Sequence, residues 1–354
     1  MGYAGGGLDR PSANRWSKEQ FEYQLSVYRL VRAVLKVFGE GKIFFNGSLA
    51  MNTYFDASER RIVTGVDVVV TPTYHDIWSK AGGGGLAGLN NPQRVCGLVN
   101  REFGREESCS DINVNGVSVR LGCFESFNRT ADGRLRLMAL VEGGHMTFKK
   151  SFKLLPSSGS KLAYLDGDRS LSELKVSPLF LDVRLEEPYL RDQSQVLTHK
   201  WGLTVMEYTN DAAHSLGYGS LKISLPPLEV FLASKLNMIY QASINEGLIR
   251  ATPLAAHYAV KSGRPRLSGA DIYDFVLGAK KANHSRVKLM LKPMLVEPVN
   301  AMLDMTASAL AKASAGKYFE ELNNLLPVDR YLDSEAWKKI CDEALASLKR
   351  IRAT

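Results

Sequence analysis

The chain has 354 residues, 45% of them apolar, and a formal charge of +8 at pH 7. That length fits two domains or one large one, and the composition is ordinary for a soluble protein. No apolar run approaches the roughly 20 residues that a membrane-crossing helix needs, which sets aside a helical membrane protein.

The N-terminal MGYAGGGLDRPSANRW is polar and Gly-rich, with no apolar stretch, so residues 1–16 are expected to form a disordered leader and not a signal peptide. Ser17 followed three residues later by Gln20 is a capping-box pattern. Phe21, Leu25, Tyr28, Val31, Leu35 and Phe38 then recur at helical spacing until Gly39 and Gly41, which predicts a helix over 17–39. A strand over 42–46, a helix over 48–57 and a strand over 62–71 follow. Gly82–Gly85 marks a loop or the start of an insertion. From 114 to 185 the chain reads as strands: 117–124, 134–141, 145–155 and 179–185, with Ala-Asp-Gly, Glu-Gly-Gly and Ser-Ser-Gly turns between them. From Leu228 the pattern is helical, over 227–245, 252–261, 268–281, 285–304, 306–313, 316–325 and 333–352. The expected class is α+β: an α+β unit over 17–225 with a strand-rich insertion at about 85–175, and a helical unit over 226–354.

Four cysteines, Cys96, Cys109, Cys123 and Cys341, show no CxxC spacing and point to reduced thiols in an intracellular, cytoplasmic setting. The positive charge is concentrated. Between Arg250 and Lys292 nine Lys/Arg face two acids, and this segment holds nearly the whole excess. Arg250, Lys261, Arg264, Arg266, Lys280 and Lys281 are the candidates for contacting a polyanion, nucleic acid above all. A solvated basic face without a partner is the plainer alternative.

Five pieces could carry chemistry. Gly47 and Ser48 stand between an apolar strand and a helix, where free backbone N–H groups can meet a phosphate; they equally suit an ordinary helix cap. Asp67 lies inside Val-Asp-Val-Val-Val, where a carboxylate must be paired, metal-bound or at the strand end. Asp182 repeats the situation in LFLDVRL, with Arg184 at i+2 as a possible partner. Lys235 flanks the apolar face of PLEVFLASKLNMIYQ, as a snorkelling lysine or a phosphate ligand. Asp271 and Asp274 lie at i, i+3 on one helix face, where acids near a helix N-terminus are favourable in any case.

In this order, Gly47-Ser48, Asp67, Asp182, Glu229–Lys235-Leu236 and Asp271-Ile-Tyr-Asp274-Phe275 resemble the nucleotidyltransferase toxins of the AbiEii type, within the DNA polymerase β-like nucleotidyltransferase superfamily. The resemblance covers about 42–71 and 179–276. It implies a mixed sheet with flanking helices and transfer of an NMP from an NTP to an acceptor, RNA or tRNA before DNA. It also implies magnesium on Asp67 and Asp182, phosphates gripped by Gly47, Ser48 and Lys235, and Asp271 and Asp274 beside the nucleotide or Lys235. A toxin–antitoxin setting with a protein antitoxin belongs to the same resemblance. The departure is at the second acid of Asp-x-Asp: Gly65 and Val69 stand two residues either side of Asp67. Asp111-Ile112-Asn113 could supply the ligand instead. The alternative is a nucleotidyltransferase fold that binds nucleic acid without catalysis. Transfer to a cationic small molecule is a third reading, which the basic segment disfavours.

Overall fold

The computed structural model describes residues 15–70, 92–106, 109–114, 117–129, 135–143, 176–185, 202–261 and 266–354. The first helix, α1 (Lys18–Phe38), starts on a complete capping box: the Ser17 hydroxyl accepts the Gln20 N–H and the Gln20 side chain accepts the Ser17 N–H, both at 3.1 Å. Its buried side includes Tyr23, Val27, Leu30, Val34 and Phe38, and Gly39 ends it with a φ of +88°. The chain then forms β1 (Ile43–Asn46), turns directly into α2 (Gly47–Thr53), and returns as β2 (Gly65–Val70) antiparallel to β1.

After α3 (Pro92–Glu106) come β3 (Ser110–Val114), β4 (Val117–Leu121), β5 (Glu125–Arg129), β6 (Leu135–Glu142) and β7 (Val176–Leu185). All seven strands belong to one mixed sheet, in the order β1-β2-β7-β6-β4-β3, with β5 paired to β6. The strands at 110–142 therefore extend the sheet that carries Asp67. β2 and β7 are parallel neighbours, while β6 and β7 are antiparallel. Side chains alternate as the pleat requires. Val66, Val68, Val70, Leu179, Leu181, Val183, Leu135 and Leu137 join the main apolar core. Asp67, Asp182 and Arg136 occupy alternating positions on the other face.

The second half begins with a two-stranded hairpin, β8 (Thr204–Tyr208) and β9 (Leu221–Leu225), around the short α4 (Asp211–Ser215). Helices α5 (Leu228–Asn245), α6 (Pro253–Lys261), α7 (Gly269–Lys281), α8 (His284–Leu291), α9 (Val299–Ala313), α10 (Tyr318–Asn323) and α11 (Ser334–Ala353) complete the chain. Helix α5 packs against α6, α7, α8 and α9, and both α5 and α7 reach α2. One continuous apolar cluster runs from Trp16 to Ile351. Fully burying a single Leu or Phe contributes about 1.5–3 kcal/mol. No helix among the described residues is long and apolar enough to cross a membrane.

Several expectations change. Residues 15 and 16 are anchored: Trp16 is buried, and Arg15 donates to the carbonyls of Ala57 and Ser58. The helix after Gly47 ends at Thr53 and not at 57. Helix α3 and the β8–β9 hairpin occupy segments to which the sequence reading gave no element. The helix expected over 285–304 is broken, because Pro293 and Pro298 cannot donate an intrahelical hydrogen bond; α9 starts after Pro298 and absorbs the expected 306–313 helix. Cys109 and Cys123 form a disulfide, contrary to the reduced-thiol expectation. They bracket the β3–β4 hairpin, whose pairing brings their Cα atoms to 5.8 Å. Cys96 and Cys341 remain buried thiols. The expected 145–155 strand lies outside the described residues, as do Gly82–Gly85 and residues 1–14.

Candidate active site

The site is built where β1 gives way to α2. Gly47 opens the helix with a φ of +67°, a left-handed conformation that side chains rarely adopt. A Cβ at this position would collide with Oδ2 of Asp67, so the glycine lets the backbone close against the carboxylate. Pairing fixes the rest: Asp67 lies opposite Asn46 on β1 and beside Asp182 on β7. Because β2 and β7 are parallel and in register at this pair, the two acids project from the same face of the sheet. Paired strands place their Cα atoms about 5 Å apart.

Asp182 is buried, and its partner is Arg136, directly across the β6–β7 pair. The guanidinium forks onto both oxygens, Nε to Oδ1 at 2.8 Å and Nη2 to Oδ2 at 2.7 Å. The Arg136 guanidinium also lies over the Phe180 ring, 5.4 Å from its centroid. Arg184, at i+2 on the same strand, projects from the same face as Asp182 and is aligned with Val69 of β2.

On the other side of the turn lies a buried ionic network. The Arg61 guanidinium donates to both oxygens of Asp274, at 2.8 and 2.7 Å, and to the Ser48 hydroxyl at 3.0 Å. The Lys235 ammonium lies 2.5 Å from Asp271 and 3.0 Å from Asp274. Arg61, Lys235 and Asp274 are all buried, whereas Asp271 is partly open. Burial works to lower the Arg61 pKa, but the Asp274 charge and hydrogen bonds, with Asp271 beyond, outweigh it and leave it raised. Two cations and two anions balance within the network. Helices α2, α5 and α7 are thereby joined by charge as well as by packing. Behind α2, Gln24 and Asn52, whose Nε2 and Oδ1 are buried without a hydrogen-bond partner among the described residues, line a small cavity that also touches Arg61.

Gly47, Ser48, Asp67, Asp182, Lys235, Asp271 and Asp274 thus fall into two groups that meet at the Gly47–Ser48 turn. Two members were missed, Arg61 and Arg136. The signal for Arg136 was available, since it alternates with apolar residues in Arg-Leu-Arg-Leu-Met-Ala-Leu-Val as Asp182 does in its own strand. Asp111 does not belong here. It sits on β3, aligned with Arg120, and β7, β6 and β4 separate it from β2, a span of about 19 Å at ordinary strand spacing.

A two-magnesium clamp does not fit these residues. Val69 offers no oxygen, and no three His, Cys, Asp or Glu side chains converge on a metal position among the described residues. The Arg136 fork already engages both oxygens of Asp182.

The basic segment is partly neutralised at home. Lys281 pairs with Asp56 at 3.0 Å and Glu59 at 3.1 Å, Lys280 with Glu343 at 2.8 Å, and Arg266 with Glu321. Arg250 is exposed. Arg264 and the Lys261 side chain lie outside the described residues.

No protein-family model matches the sequence, and no curated protein matches it. Among solved structures, the chain is similar to a "putative nucleotidyltransferase" from H. pylori, at 10% identity and a TM-score of 0.44 over 95% of this chain and 96% of that one. A likeness of that size leaves any assignment to the residues themselves.

Proposed function

We propose that this chain is a nucleotidyltransferase that moves an NMP from an NTP to an acceptor hydroxyl, with RNA as the acceptor. The observation that carries the reading is the in-register pair Asp67 and Asp182 on parallel strands, with the left-handed Gly47 packed against the first acid at a helix start. The β- and γ-phosphates lie over the Gly47–Ser48 turn. Lys235 exchanges Asp271, its more open partner, for a phosphate oxygen. The acceptor oxygen attacks the α-phosphorus in line. The bond to the bridging oxygen of the β-phosphate breaks and pyrophosphate leaves, while Asp67 takes the hydroxyl proton. The RNA assignment rests on the charge of the 250–292 segment.

The test is transfer of label from α-labelled NTPs to total RNA. Wild-type protein is expected to transfer label, and Asp67→Asn to lower the rate about 100-fold or more, as removal of a general base does. Absence of transfer from all four NTPs under conditions where a control enzyme works overturns the activity.

A second reading has its own observation. Val69 in place of an acid and the Arg136 fork on Asp182 favour a nucleotidyltransferase-fold protein that holds a nucleotide or nucleic acid without transferring. Nucleotide binding without label transfer would select it.

A further inference from the structure

Three side chains form a continuous row on the face of the sheet turned away from the main core: Arg136, Asp182 and Asp67. Arg136 and Asp182 face each other across β6 and β7, and Asp182 and Asp67 across β7 and β2. The row ends at the Gly47 turn. Its cation is covalently part of the protein. The Arg136 side chain is 36% exposed while Asp182 is 7% exposed, so the carboxylate is sunk in the sheet and the arginine is the member of the pair that solvent reaches. The ring of Phe180 supports its plane.

A guanidinium held in this way has the properties a triphosphate requires. It is charged at every physiological pH, it is planar, and with Nε and Nη2 held by Asp182 its remaining N–H groups are fixed in direction. A hydrated magnesium ion placed between Asp67 and Asp182 would face that positive charge at close range. Arg184, two residues along β7 from Asp182, projects from the same face, so two positive and two negative charges stand there before any nucleotide enters.

Resting on the nucleotide reading above, we propose that Arg136 takes the place of the divalent cation. It is the fixed positive charge that receives the triphosphate, with Asp182 as the residue that aims it. Nucleotide binding by this chain is then independent of magnesium.

The experiment is equilibrium binding of each of the four NTPs to the full chain, in excess EDTA and in excess magnesium. Wild-type affinity is expected to agree between the two buffers within about twofold. Arg136→Ala is expected to weaken binding in EDTA by roughly tenfold or more, the effect of losing charge-assisted hydrogen bonds. Arg136→Lys restores the charge but not the fork and falls between the two. Because Arg136→Ala takes the fork away from a buried carboxylate, the double variant Arg136→Gln with Asp182→Asn, which removes both charges of the pair, is measured beside it and is expected to lose affinity equally. Binding that needs magnesium, or that is unchanged in the double variant, overturns the inference and leaves the nucleotide reading standing. Absence of NTP binding in both buffers overturns both.

Discussion

At the scale of single residues, Gly47 does two things that separate experiments can resolve. Its φ of +67° costs any other residue about 1–2 kcal/mol, and a side chain there also runs into the Asp67 carboxylate. Gly41 has a φ of +76° with nothing within 4 Å of the place a Cβ would occupy, so Gly41→Ala carries the backbone cost alone. Urea unfolding should show Gly47→Ala losing about 1 kcal/mol or more beyond Gly41→Ala, the excess reporting the collision. Nucleotide binding should fall in Gly47→Ala only. Equal losses in the two variants would mean that the turn tolerates a shifted carboxylate. Most of the candidate residues were legible in the sequence for one reason: an acid in an apolar strand, or a small pair at a strand end, violates the local pattern. Arg61 was not, because an arginine reads as a surface residue until its partner is known, and Arg136 showed its alternation with apolar residues but not the acid it meets. Those partners, Asp274 and Asp182, lie 213 and 46 residues away.

At the scale of elements, the network around Asp274 is the fastening between the sheet-side turn and the helices. Asp274 is fully buried and accepts from Arg61 and Lys235 together. Asp274→Asn leaves two buried cations with Asp271 alone, and a broken buried pair costs about 3–5 kcal/mol. Chemical denaturation should register a loss of that size, and a loss below about 1 kcal/mol would show that the helices hold without it. Elements themselves were legible where periodicity and punctuation agree, as in α1 with its capping box and terminal glycine. They were lost where one cue overrode another. Val95, Val99 and Phe103 give α3 a helical spacing and are buried, yet the glycine run before them drew the segment towards an insertion. Pro293 and Pro298 broke a helix that apolar spacing alone carried through. The disulfide was illegible because Cys109 and Cys123 meet only once β3 and β4 pair.

At the scale of the whole molecule, the net charge is a poor guide to how many phosphates the chain can neutralise. The acids that hold Lys280, Lys281 and Arg266 come from residues 56, 59, 321 and 343, remote in sequence from the basic run. Each phosphate contact on a single strand adds about 0.7 to the slope of log affinity against log salt. RNA titrations across salt should therefore give Lys280→Ala/Lys281→Ala a slope within about 0.7 of wild type, while Arg250→Ala/Lys292→Ala, at exposed positions, should flatten it by more. The reverse ranking would mean that RNA displaces the local acids. The candidate site is equally dispersed, drawing on Gly47, Arg61, Asp67, Arg136, Asp182, Lys235 and Asp274. This has a consequence during synthesis. A nascent chain on the ribosome holds the Gly47–Ser48 turn and Asp67 early, but it has no Arg136–Asp182 pair until β7 has emerged. The Lys235 network must wait for α7. A chain released before that point lacks partners on both sides of the Gly47–Ser48 turn, so the arrangement forms only after β7 and α7 have both been made.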